Sequence, residues 1–327
     1  MIARRFAPVA IALATLLALA TPAAQAEEYP NRPITFVIPF PPGGGIDAIL
    51  RSMGPRLTER LGKPIVIENR SGGAGTIGAA AVAKAPPDGY TLLAAPSLFA
   101  SNVKLFKALP FDAVKDFEPV SLVLRTPYVL VVNPSLGVKT VPELIALAKQ
   151  KPGELSYAST GPGSSLHLSA ELFQSMTGTK MTGVQYRGAP PAFADVIAGH
   201  VNLMFADTGT ALQQIAEGKV NALGVSSLTR VPAAPNIPTL SEAGLNGFDS
   251  VGWLLMTAPA GTPQPIIDRL HAELKAAARL PDIHKQMIDL GTIPVDSPPL
   301  PELKRFLASE IERWGAIVEK AGVAGSQ

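Results

Sequence analysis

The chain contains no cysteine in its 327 residues. That absence excludes disulfides, thiolate metal sites, a cysteine nucleophile and a lipid-modified cysteine. Histidine is scarce: His167, His200, His271 and His284 are the four, scattered with no metal-ligand spacing. There is no G-x-S-x-G elbow, and no pair of carboxylates stands out as an acid–base couple. No internal repeat or low-complexity tract is present. The apolar run Val9–Ala20 is well short of the roughly 18 residues that a membrane span needs. An excess of one charge is missing too. The formal charge of +2 comes from Arg4 and Arg5; without them 26 basic residues face 26 acidic ones. A neutral chain has no electrostatic footprint for nucleic acid or an anionic membrane. An anionic ligand would have to be held by local geometry.

What is there begins with an export signal. Arg4 and Arg5 form a charged segment, an apolar segment follows, and Ala24-Gln25-Ala26 fits a signal-peptidase site. Residues 1–26 are therefore expected to be a signal peptide cleaved near Ala26. Export without a lipid-modifiable cysteine needs an outer barrier to retain the product, so a periplasm is the expected compartment. The roughly 300 residues that remain are enough for two cores.

Strand and helix patterns then alternate. Residues 34–40 read as a strand, and Ile46, Ile49, Leu50, Met53 and Leu57 recur at helical spacing until Gly62. A strand over 64–68, a small-residue helix over 75–84 and a strand over 90–94 complete βαβαβ, which implies a parallel sheet. The same grammar restarts after Pro127. A strand over 128–132 leads to a capping box at Thr140–Glu143 and its helix. Strands are expected over 155–158, 182–186, 201–205 and 220–226, with helices over 164–177, 190–198 and 210–217. Gly178, Gly199 and Gly218 sit where helix stops belong. A strand over 251–257, a helix capped by Thr262-Pro263 and a last helix carrying Trp314 read as packing for the first unit.

Two strand-to-helix turns carry the chemistry. Phe40-Pro41-Pro42-Gly43-Gly44-Gly45-Ile46-Asp47 is one, and Ser159-Thr160-Gly161-Pro162-Gly163-Ser164-Ser165 is the other. Glycine admits close backbone approach, Ser and Thr add donors, and a helix N-terminus adds unpaired N–H groups and a positive dipole end. Two such cradles suggest a two-lobed receptor for a small acid. The candidate ligand-binding residues are Gly43, Gly44, Gly45 and Asp47 in the first turn, and Thr160, Gly161, Gly163 and Ser164 in the second. His167, one turn into the following helix, either bonds to the cradle or braces it. Ser97 completes the set with Asp207, which ends a strand where a parallel sheet binds ligands and also suits a helix N-cap. Arg187 is either the nearest cation for a second carboxylate or a solvated charge.

Two further motifs carry less. Gly73-Ala74-Gly75-Thr76-Ile77-Gly78 matches G-x-G-x-x-G, but the acid expected about 20 residues on is missing. Tight helix–sheet packing explains it better. Ser101-Asn102-Val103-Lys104 matches S-x-x-K without its partner motifs S-D-N and K-T-G. An exported enzyme, either a dinucleotide-dependent oxidoreductase or an acyl hydrolase, is the second reading, and these incomplete motifs count against it.

The mature chain as a whole resembles the solute-binding proteins of tripartite tricarboxylate transporters, the Bug proteins. The resemblance rests on Tyr29-Pro30, Pro39-Phe40 with Gly43-Gly44 and Asp47, Asp88-Gly89-Tyr90-Thr91-Leu92, Ser156-Tyr157-Ala158-Ser159 with Gly161 and Gly163, Tyr186-Arg187-Gly188, Glu242-Ala243-Gly244 and Gly261-Thr262-Pro263, in order. It implies an α/β, two-lobed, periplasmic-binding-protein-like (type II) fold. Each lobe would be a mostly parallel sheet flanked by helices, with the ligand cleft between them. Lobe 1 is expected from 27–124 and 250–327, and lobe 2 from 125–249. The hinge is expected near Ser121–Pro127 and Asn246–Gly252. The resemblance also implies that one ligand carboxylate sits between the two glycine turns, held mainly by backbone N–H groups, hydroxyls and water. The expected protein is a monomer and not an enzyme. It would take a di- or tricarboxylate, an acidic amino acid or an aromatic carboxylate, without metal or cofactor, and pass it to membrane permease subunits. Gln185, where the family usually has proline, and Asn221, where arginine is common, depart from the pattern and bear on the distal half of the site.

Overall fold

The computed structural model describes residues 29–327, so the expected signal peptide lies outside the described residues. Two sheets organise the chain. β1 (Ile34–Ile38), β2 (Ile65–Asn69), β3 (Thr91–Pro96), β4 (Phe117–Thr126), β10 (Gly252–Pro259) and β11 (Ile293–Pro294) form the first, in the order β11-β4-β10-β3-β1-β2. β5 (Tyr128–Val132), β6 (Ser156–Ser159), β7 (Thr182–Gln185), β8 (Leu203–Asp207) and β9 (Asn221–Val225) form the second, in the order β7-β6-β8-β5-β9.

Each sheet follows one plan. β1 pairs in parallel with both β2 and β3, and β6 does so with both β7 and β8. One antiparallel strand then enters beside the third: β10 against β3 and β4, and β5 against β8 and β9. The chain crosses from the first sheet to the second at Pro127, and it returns between Ser250 and Gly252. Ser226 ties the two crossings together. Its N–H donates to the Tyr128 carbonyl at 2.7 Å, and its hydroxyl donates to the Ser250 carbonyl at 2.5 Å.

Helices cover the sheets: α1 (Gly45–Leu61), α2 (Thr76–Ala83), α3 (Leu98–Leu105), α4 (Val141–Gln150), α5 (Ser165–Thr177), α6 (Ala189–Ala198), α7 (Thr208–Ala216), α8 (Gln264–Ala278), α9 (Pro281–Asp289) and α10 (Leu300–Lys320). The first sheet is buried on both faces. One face packs Ile49, Met53 and Leu57 of α1 with Leu270 of α8, and the other packs Phe99, Leu307 and Trp314. β10 is therefore buried along its whole length. The second sheet carries its own core around Phe173, Phe205 and Phe248. This architecture is two-lobed α/β, as expected, but each sheet is mixed rather than mostly parallel in its pairings, because β10 and β11 in the first and β5 in the second run against their neighbours.

Local stop signals behave as the sequence suggests. Gly62, Gly178 and Gly199 end α1, α5 and α6 in the left-handed conformation, and the Thr140–Glu143 capping box is formed. Thr262 differs: its hydroxyl donates to the Pro259 carbonyl, and α8 starts at Gln264 without a side-chain cap. β4, α3, α9 and β11 are elements that the sequence pattern did not announce. Ser121 to Arg125, read as part of a hinge, lies inside β4.

Candidate functional site

The two lobes enclose a cavity of about 1160 Å³ at the C-terminal ends of β1, β3, β6 and β8. In each sheet the strand order reverses between the first and third strands, and crevices for ligands open at such switch points. Gly43, Gly44 and Gly45 after β1, Ser97 after β3, Thr160 and Ser164 after β6, and Asp207 ending β8 all line this one cavity. The structure thus brings seven of the eleven candidate residues together.

The first turn opens α1. Gly44 is the N-cap with φ −78° and ψ 170°, and no side chain caps the helix. Gly43 sits at φ +92°, where a side chain would be strained, and open space faces all three glycines. Asp47 is placed differently from its expected ligand role. It is buried behind the turn and accepts from the Gly43 N–H at 3.0 Å, from Arg51 Nε at 2.9 Å and from Asn69 Nδ2 at 3.0 Å. The Arg51 hydrogen bond, with help from Gly43 and Asn69, holds its carboxyl down at about 2. Asp47 fixes the shape of the cradle.

The second turn opens α5. Ser164 caps the helix, its hydroxyl accepting from the His167 N–H at 3.2 Å. His167 is buried and does not line the cavity. Burial pushes its imidazole below the ordinary value, against the pull of Glu171. The neutral ring accepts the Gly163 N–H at Nδ1, 3.1 Å away, so His167 braces the loop. Gly161 and Gly163 also stand off the cavity wall. A Cβ on Gly163 would lie 2.4 Å from Leu105 of α3, so this glycine permits close contact between the lobes. At α1 the first-turn N–H groups have no intrahelical acceptor; at α5 the Ser164 hydroxyl takes the His167 N–H, and those of Ser165 and Leu166 have no intrahelical acceptor.

Two further hydroxyls line the cavity beside Ser97, outside the candidate set: Tyr128, the first residue of β5, with no sign in the sequence, and Ser165, the first of α5, at the end of the second turn. Ser97 Oγ and Ser165 Oγ are 3.4 Å apart across the lobes. The Tyr128 hydroxyl lies beside both serines, and burial, with the charge of Asp207 second, raises its proton affinity. A Cβ on Gly252 would meet that hydroxyl at 2.6 Å. The lobes also touch through main chain alone. A Cβ on Gly209 would lie 2.5 Å from the Leu290 carbonyl oxygen, and one on Gly291 would lie 2.4 Å from the Gly209 nitrogen.

Other motifs lie outside the site. Gly78 packs so closely that a Cβ would approach the Arg70 carbonyl at 2.9 Å and Pro39 at 3.1 Å, which is helix–sheet packing. The Ser101 hydroxyl donates to the Leu98 carbonyl while Lys104 pairs with Glu319, so the S-x-x-K residues do not meet. Arg187 is exposed and off the cavity. Gln185 accepts from Ser159, Asn221 donates to the Val138 carbonyl, and neither residue lines the cavity. Among the described residues no cluster of acidic residues and histidines could hold a metal ion.

The profile of the Tripartite tricarboxylate transporter family receptor matches residues 49–323. Protein BugT of Bordetella pertussis is 36% identical over 300 residues, which cover 91% of this chain and 92% of BugT. The solved structure of the periplasmic binding protein BugD aligns with a TM-score of 0.76 at 34% identity, covering 90% of this chain and 99% of BugD. That of R. palustris Rpa4515 with adipate aligns with a TM-score of 0.79 at 35% identity, covering 91% of this chain and 99% of the other.

Proposed function

The chain belongs to the tripartite tricarboxylate transporter family of receptors, and from that membership we propose that it captures a small organic carboxylate in the periplasm and delivers it to the permease subunits of such a transporter. It is a solute-binding receptor, and the proposal concerns the ligand, the compartment and the delivery. The observation that carries it is that Gly43–Gly45 of the first turn and Thr160, Ser164 and Ser165 of the second face one cavity from opposite lobes with a helix N-terminus behind each. Such termini hold a carboxylate by charge-assisted hydrogen bonds without any cationic side chain. Among the described residues no cluster of acidic residues and histidines could hold a metal ion, and the S-x-x-K residues do not meet, which favours binding over the second reading of an exported enzyme. No helix among the described residues is long and apolar enough to cross a membrane.

A thermal-shift screen over carboxylates tests the reading. A ligand present at 100 times its dissociation constant should add about 2.7 kcal/mol. The amide of the best acid should bind far more weakly, and equal binding of acid and amide would defeat the carboxylate assignment.

In the same reading the segments 27–124 with 250–327 and the segment 125–249 move as two bodies about Pro127 and Val251. The Gly209–Leu290 contact would then limit closure, because a Cβ at 2.5 Å from a backbone oxygen forces the chains apart. The Gly209→Ala variant should stay folded, bind at least tenfold more weakly, and fail to compact with ligand in small-angle scattering. Compaction equal to that of the wild type would rule out this limit.

A further inference from the structure

We propose that the cavity selects an acid that carries a hydrogen-bond donor, an ammonium or a hydroxyl, in place of a second carboxylate, and that Asp207 is the residue that makes this selection. The proposal rests on the receptor reading and deepens it.

Asp207 stands at the end of β8 on the cavity wall, and its carboxylate has no hydrogen bond or ion pair among the described residues. The neighbouring donors are engaged elsewhere. The Thr210 hydroxyl donates to the Asp207 main-chain carbonyl at 2.9 Å, and the Thr208 hydroxyl donates to the Pro127 carbonyl at 2.8 Å. The Tyr128 hydroxyl, on the strand paired with β8, lies beside Ser97 and Ser165 and makes no hydrogen bond to the Asp207 carboxylate among the described residues. Asp207 is at the N-cap position of α7, yet its side chain does not cap the helix. A carboxylate in this position lacks the partner that buried charges ordinarily have.

The rest of the lining points the same way. No lysine, arginine or histidine lines the cavity among the described residues. Its other acid, Asp289, is exposed and paired with Lys285 at 2.6 Å. Much of the wall is apolar, with Phe40, Ile49, Leu124, Phe193 and Met204. A dicarboxylate that placed one end in the glycine cradle would bring its second charge into this space with no cation to meet it, beside Asp207, whose own negative charge burial already disfavours and a second anion would disfavour further. An ammonium there would neutralise Asp207, and a hydroxyl would donate a charge-assisted hydrogen bond to it. Positive helix ends on one part of the wall and a lone carboxylate on another are complementary to an amino or hydroxy acid.

The test is calorimetric titration with straight-chain acids of four to eight carbons, in four matched sets: diacid, ω-hydroxy acid, ω-amino acid and plain monoacid. At the best chain length the wild-type protein should bind the amino or hydroxy acid at least tenfold tighter than the diacid, and Asp207→Asn should erase that margin. A tighter amino acid identifies a full charge as the partner, and a tighter hydroxy acid identifies the hydroxyl; both uphold the proposal. Diacids bound as tightly as the donor-bearing acids at every length would overturn it, as would a margin unchanged in Asp207→Asn. Either result leaves the receptor reading intact. That reading fails separately, when converting the carboxylate of the best ligand to an amide costs nothing.

Discussion

Gly44→Val should lower carboxylate affinity by about two to four orders of magnitude while leaving the protein folded. Gly44 has φ −78° and ψ 170°, a conformation that valine favours, and no atom lies within 4 Å of a Cβ placed there. The only structural cost is a poorer N-cap, about 1 kcal/mol. The space in front of Gly44 is the cavity itself, so the valine methyls would stand where a carboxylate must approach the first-turn N–H groups of α1. Charge-assisted hydrogen bonds are worth about 1.5–3 kcal/mol each. Losing two removes about 3–6 kcal/mol, and each 1.4 kcal/mol is a factor of about ten. Calorimetric titration beside thermal unfolding separates the two effects. A loss below about fivefold in a normally folded variant would mean that the carboxylate is held elsewhere.

Glu310→Ala should cost about 3–5 kcal/mol of folding stability, the range for removing one partner from a buried ion pair. Glu310 is 8% exposed on α10. Its Oε2 accepts from Trp253 Nε1 at 2.7 Å, from Trp314 Nε1 at 3.0 Å and from Arg313 Nη2 at 2.7 Å, while Oε1 accepts from Arg313 Nε at 2.9 Å. Arg313 also donates to the Asp249 carbonyl, just before the chain returns to the first sheet. Alanine would strand two buried indole N–H groups and a half-buried guanidinium. Urea unfolding measures the loss, and a change under about 1 kcal/mol would show that water replaces the carboxylate. Trp253→Phe in the Glu310→Ala background should then cost less than Trp253→Phe alone, because the acceptor is already gone.

The features legible in the sequence are those encoded by neighbours along the chain. The Thr140–Glu143 box and the left-handed glycines at Gly62, Gly178 and Gly199 are local, and so are the two glycine turns. β4 was hidden because Pro119 and Ser121 interrupt its apolar pattern and because its partner β10 lies far along the chain. The direction in which a turn residue points is equally hidden. Asp47 and His167 sit in the right motifs, yet Arg51 with Asn69 in one case, and the Gly163 N–H in the other, draw them to the back of the cradle. Tyr128 reaches the site through tertiary assembly of strands from both lobes, for which the sequence carries no local sign, whereas Ser165 sits in the second turn and was legible there. The separation of Gly163 from the wall follows from Leu105 of the other lobe.

The placement of β10 between β3 and β4 has a consequence for biogenesis. Until Gly252–Pro259 is synthesised, β3 and β4 have no strand to join them, and each offers an open edge. The second sheet, whose strands all lie between Tyr128 and Val225, can close earlier. If the second sheet closes first, the later-begun half of the protein is finished while its first-begun half is still an open-edged fragment, and unpaired strand edges recruit other chains. Chaperone demand during synthesis should concentrate on that fragment and end when β10 is delivered.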